Sequence, residues 1–186
     1  MDAVIAQGWE AGGHRRSHVP TEPFDGVGTM ALVPQIADAI SVPVIAAGGM
    51  GDGRGIAAAL ALGASGVQMG TAFLNCPEAN TEPARRARLR CATDRDTIVT
   101  DSFSGRSARA MRSRYAVEME RHRQDLPQFP QMYALAGPIK NAAVDDDVSF
   151  FLYGQAAALS KEMAASNLVD QLVHEAQEVI SRLAWR

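Results

Sequence analysis

The chain has 186 residues, 47% of them hydrophobic and 21% charged, with a formal net charge of −3. That suffices for one globular domain with a buried core, rules out a disordered tail, and supplies no basic field for nucleic acid. Cys76 and Cys91 form no CxxC pair, and no apolar run approaches the roughly 20 residues of a membrane span, so a soluble protein of the reducing cytoplasm is expected.

In chain order, Ala3 to Ala6, Val42 to Ala47 and Gly66 to Met69 read as short parallel strands, apolar on both faces, each with a glycine one or two residues beyond it. The segment TMALVPQIADAI has helical spacing, with Pro34 expected in or near the first turn. In DGRGIAAALALGA, Asp52 is placed to cap a second helix and Gly63 to end it. The result is strand, loop, helix repeated, the signature of a parallel α/β fold. Beyond Thr71 the rhythm stops. Glu78 to Ala92 reads as a charged surface helix, Thr97 to Phe103 as one further strand, and DTIVTDSFSGRSARAM as extended chain around a Ser104-Gly105 turn lying over the sheet. Glu120 to Asp147 reads as loop. Phe150 to Ala165 reads as helix, and Asn167 as the cap of a last helix in which Leu168, Leu172, Val173, Ala176, Val179, Ile180 and Leu183 share a face.

Three parallel strands do not close on themselves, and an eight-stranded (β/α)₈ barrel takes about 250 residues. The expectation is therefore the C-terminal part of a TIM barrel, its last three strands in residues 1–75, followed by a mostly helical post-barrel segment in residues 76–186. Five earlier βα units would lie outside this chain. A small open doubly wound sheet is the other architecture the strands allow.

The chemistry gathers at the strand ends. VPVIAAGGMGDGRG runs a buried strand into Gly48-Gly49 and then into a helix near Gly53, whose free N–H groups and positive dipole end favour an anion. The next strand ends in GVQMGTAF, where Gly70 leaves the backbone open, Thr71 supplies a hydroxyl and TAFL can begin a short helix. Loops after strands 7 and 8 of a barrel hold phosphate in this way; ordinary tight turns are the plain alternative. At the end of the first strand, Gln7 offers a donor and an acceptor to a heterocycle's amide edge, and His14, after two glycines, is a candidate base at neutral pH. His18, His122 and His174 read as solvent-facing, and none belongs to a metal-ligand pattern. Ser102 and Ser104 sit in no nucleophile-elbow pattern. Arg106, Arg109, Arg112 and Arg114 read as a solvated face paired with Glu118 and Glu120, and Met50 and Met69 read as packing or as lining of that site.

QGWEAGGHRR, PVIAAGGMGDGRGIAAALALGASGVQMGTAFL, SGRSARAM and YGQAAAL come in the order found in nitronate monooxygenases, formerly called 2-nitropropane dioxygenases, and the chain resembles the C-terminal part of such an enzyme. The resemblance implies non-covalent FMN, with Gln7 and Gly12 near the ring system and Gly48, Gly49, Gln68, Met69, Gly70 and Thr71 around the ribityl phosphate. It places His14 where the family has its catalytic base and brings Tyr153, Gly154 and Gln155 over the cofactor. The implied reaction is oxidation of alkyl nitronates by O₂, in a protein that binds no nucleic acid or membrane and can form homo-oligomers. Two other functions stand beside it: an NAD(P)H-dependent flavin reductase of the enoyl-acyl-carrier-protein or quinone reductase type, and an inactive remnant or assembly module that pairs its open sheet edge with another chain.

Overall fold

In the computed structural model, residues 1–16, 26–142 and 147–184 are described. Strands β1 (Val4–Gln7), β3 (Val44–Ala47) and β4 (Gly66–Gln68) form a parallel sheet in the order β1-β3-β4, crossed over by helices α1 (Thr29–Ala39) and α2 (Gly53–Ala61). The three expected strands are present, each trimmed or shifted by one or two residues. Their two faces differ. Ala6, Val44 and Ala46 pack with Val33, Ala59 and Ala64 beneath the helices, whereas Ile5, on the opposite face of β1, is 56% exposed. Side chains alternate along a strand, so the face carrying Ile5 and Gln7 is the one that would turn into a barrel interior. The chain forms a partial TIM barrel, with β1 and β4 as sheet edges among the described residues.

Pro34 lies in the middle of α1, not in its first turn. Its missing N–H leaves the Met30 carbonyl without a helical donor, which is tolerable because Met30 is exposed to water. Asp52 caps α2 as expected, accepting from Arg54 N at 3.0 Å and Gly55 N at 3.4 Å. Gly63 ends the helix at φ +96°.

A second sheet is antiparallel in the order β2-β6-β5, of which only the short β2 was not expected: β2 is Gly13–His14, β5 is Thr97–Thr100 and β6 is Ala108–Met111. The extended pair around Ser104-Gly105 is there, with β5 stopping at Thr100 instead of Phe103. The charged helix over 78–92 splits into a 3-10 turn, Pro77–Ala79, and α3 (Pro83–Arg90), because Pro83 restarts the helix. The expected loop over 120–147 contains a 3-10 segment, Glu120–Asp125, and two short helices, α5 (Gln131–Leu135) and α6 (Gly137–Ala142), after α4 (Arg114–Met119). Conversely, Phe150 to Ala165 is mostly irregular, with only Gln155–Leu159 forming 3-10 turns. Phe151 and Tyr153 pack there against Leu89 and Met111, and tertiary burial outweighs local helical preference. The last helix, α7 (Ala165–Ala184), begins before Asn167, and the Glu78 carboxylate meets its first N–H at Ala165. Leu168, Leu172 and Ala176 face inward along α2, while Val173, Ile180 and Leu183 of the expected apolar face stay exposed.

Candidate functional site

Parallel register brings the strand ends into line: Gln7 stands opposite Ala47, and Ala47 opposite Gln68. The chain therefore leaves β1, β3 and β4 at one end of the sheet, and a cavity of about 640 Å³ opens there. Gln7, Gly12, His14, Gly48, Gly49, Gln68, Met69, Gly70 and Thr71 all line it. Gly48 is indispensable to its floor: its φ is +101°, and a Cβ there would come within 2.8 Å of Ala11.

The Gly8 to Gly13 loop is fixed by three side chains to which nothing local in the sequence points. Glu10 reaches across to α1, where both carboxylate oxygens receive Thr29 N, at 3.0 and 2.9 Å, and one also takes the Thr29 hydroxyl. The acidic cap of α1 thus comes from a residue 19 positions earlier. Arg15 donates to the carbonyls of Gly8 and Ala11, and Arg109 to Trp9 O and Thr97 Oγ1. Both guanidinium groups also lie over the Trp9 ring, 5.7 and 5.6 Å from its centroid. Burial, and then the neighbouring Arg109, hold Arg15 down to about 10. Arg109 is only 4% exposed and so does not belong to the expected solvated arginine face, whereas Arg106, Arg112 and Arg114 are exposed as expected. Arg114 pairs with Asp147, and Arg106 lies over Phe129.

His14 reaches the cavity because β2 pairs with β6, setting it opposite Ala108. Gln7 Nε2 donates to the His14 carbonyl at 3.1 Å, and Gln7 Oε1 accepts from Arg16 N at 3.1 Å. Both ends of the Gln7 amide are therefore engaged by the loop. The imidazole lies 3.0 Å from Ser104 Oγ through Nε2 and edge-on to Phe150. Burial, followed by the positive charges of Arg106, Arg16, Arg15 and Lys140, lowers its pKa below 6.5. The ring is neutral at pH 7, in surroundings that attract an anion.

The expected anion pocket at the start of α2 is not free. Asp52 takes two of its N–H groups and Glu175 Oε2 takes Gly53 N at 3.0 Å, so two carboxylates already occupy that helix end. What remains is the next loop. A 3-10 turn over Thr71–Phe73 starts at the cavity wall without a side-chain cap. A Cβ on Gly70 would meet no atom within 4 Å. The Thr71 hydroxyl accepts Gly154 N–H at 2.9 Å and keeps its own proton to donate.

Of the residues expected to close over the site, Gly154 lines the cavity. Tyr153 is turned into the core, its hydroxyl donating to Asp96 O at 3.0 Å. Gln155 is not part of the cavity wall, though its N–H donates to Glu10 O at 3.0 Å. Met50 is both core and cavity wall. His122 is exposed, His174 pairs with Glu178 on the surface, and His18 lies outside the described residues. Among the described residues no His, Cys, Asp and Glu cluster could hold a metal ion, and no helix is long and apolar enough to cross a membrane.

A family model described as nitronate monooxygenase matches residues 1–175. The chain is 41% identical to a probable nitronate monooxygenase of Staphylococcus aureus over 97% of its own length and 52% of that protein's. Among solved structures it is similar to a nitroalkane oxidase from Streptomyces ansochromogenes, with a TM-score of 0.89 and 36% identity over 98% of this chain and 53% of the other. It is also similar to FabK from Thermotoga maritima, at 0.80 and 35%, over 98% and 57%. The chain spans about half the length of the curated relatives it matches.

Proposed function

The chain belongs to the nitronate monooxygenase family, and from that premise we propose that it is the C-terminal part of a cytoplasmic FMN-dependent enzyme that oxidises alkyl nitronates with O₂. One observation carries this reading: a neutral imidazole, the Gln7 amide and uncapped backbone at Gly70 and Thr71 meet in a single cavity.

The residues present fit a flavin mononucleotide. The space beside Gly70 lets a phosphate approach the backbone, and the first N–H groups of the Thr71 turn, with the Thr71 hydroxyl, are donors suited to a dianion. Gly48, Gly49, Gln68 and Met69 would flank the same tail, with Gln7 and Gly12 toward the ring system. When bound, the flavin supplies electron acceptance from substrate and electron transfer to O₂.

The protein groups handle the proton and the charge. For a neutral nitroalkane, His14 would take the α-proton as the C–H pair becomes the nitronate, and a pKa below 6.5 keeps the imidazole unprotonated for that task. For a nitronate already formed, His14 would position the anion, helped by the nearby charges of Arg16, Arg106 and Lys140. The test is flavin titration and oxygen uptake with propionate 3-nitronate, using the 186-residue chain and a chain extended to the length of its relatives. His14→Ala is expected to abolish turnover on neutral nitroalkanes in the competent form; unchanged turnover would remove the role given to His14.

The likeness to FabK supports a second reading, a flavin reductase fed by NADH or NADPH. Anaerobic mixing with the reduced nucleotide separates the two: rapid flavin bleaching favours the reductase, and none favours the nitronate oxidant.

A further inference from the structure

Ser104 matches no nucleophile motif, yet it is 1% exposed and sits in the turn between β5 and β6, in contact with the site. Its Oγ lies 3.0 Å from His14 Nε2, 3.0 Å from the Arg106 carbonyl and 3.3 Å from the Arg106 N–H. A hydroxyl has one proton and two lone pairs. The backbone N–H can only donate and the carbonyl can only accept. All four groups are satisfied together in one arrangement: the hydroxyl proton goes to Arg106 O, one lone pair takes Arg106 N–H, and the other takes a proton from Nε2. Reversing the His14 bond would take the hydroxyl proton from the carbonyl and leave that acceptor without it.

We infer that Ser104 is a positioning residue that holds His14 as its Nε2–H tautomer, so that Nδ1 is the basic nitrogen offered to substrate. Nδ1 has no hydrogen-bond partner among the described residues, and His14 lines the cavity. The hydrogen bond on one ring nitrogen fixes which of the two carries the lone pair. The inference rests on His14 being the base, and it deepens that reading by naming the atom.

The experiment is long-range proton–nitrogen correlation NMR on the ¹⁵N-labelled 186-residue chain at pH 8, with His14 assigned by its loss in His14→Asn. The expected result is a pyrrole-type Nε2 with a slowly exchanging ring proton and a pyridine-type Nδ1; a pyridine-type Nε2 overturns the inference. Ser104→Ala is expected to lose the slow ring proton, and Ser104→Thr, which keeps the hydroxyl, to retain it. In flavin-loaded protein competent for turnover, Ser104→Ala should lower kcat about tenfold at unchanged KM, a fraction of the roughly 10²–10⁴ a positioned base contributes, with rescue in Ser104→Thr. A kcat unchanged in Ser104→Ala but lost in His14→Ala overturns the role of Ser104 alone, whereas a kcat unchanged in both removes the base itself.

Discussion

Glu175 Oε2 lies 3.0 Å from Gly53 N, so a carboxylate from the last helix seals the N-terminus of α2, 122 positions away in sequence. The same carboxylate accepts from Lys161 Nζ at 2.7 Å and from Gln171. These bonds, led by Lys161, depress Glu175 from 4.5 to about 2. A group whose folded pKa is depressed stabilises the fold above its unfolded pKa and loses that contribution as pH falls through the folded value. Stability from Glu175 is therefore full above about pH 4.5 and disappears toward pH 2. Allowing for its partial exposure, Glu175→Gln should cost about 1–2 kcal/mol at pH 7 and flatten the acid limb. Denaturant titrations at pH 7 and pH 3 measure both effects.

Two glycines of the cavity should respond in opposite ways to a methyl group. Gly48→Ala places a side chain at φ +101° and 2.8 Å from Ala11, and should destabilise by about 1–3 kcal/mol. Gly70→Ala meets nothing and has an ordinary φ, so thermal stability should move by less than about 0.5 kcal/mol. If Gly70 borders the bound phosphate, flavin affinity should nonetheless fall. Melting curves paired with flavin titration check both, and a Gly70→Ala protein with unaltered flavin affinity would move the phosphate elsewhere.

Glu10 holds the cavity loop to α1. Glu10→Ala removes the acceptor of Thr29 N and should cost about 1–2 kcal/mol, the value of an N-cap. Glu10→Gln keeps one acceptor and should lose less. Hydrogen exchange at Thr29 and Trp9 would show the loop loosening before the rest of the fold.

The pH profile of turnover follows from the sign of the His14 shift. Because burial and then Arg106 lower its pKa, the acid limb of activity requiring the neutral ring should lie below the 6.5 of a free imidazole. Arg106→Gln removes the largest of the neighbouring positive charges and should move the acid limb upward, toward 6.5. A limb that stays in place would show that another group controls it.

Much of this was legible in the sequence because it is local. Apolar runs ending in glycine mark β1, β3 and β4, Asp52 and Gly63 mark the bounds of α2, and the nine residues read as a site all line one cavity because parallel strands must end on the same side. What lies between distant segments was not legible. His14 is aimed by pairing with Ala108, the loop before it is held by Arg109, and the helix end that looked ready for phosphate is filled by Glu175. Chain composition fixes which residues can donate, accept or carry charge; only packing decides which partner, far along the chain, satisfies each buried group, since a buried polar atom takes whatever complementary atom the fold brings within about 3 Å.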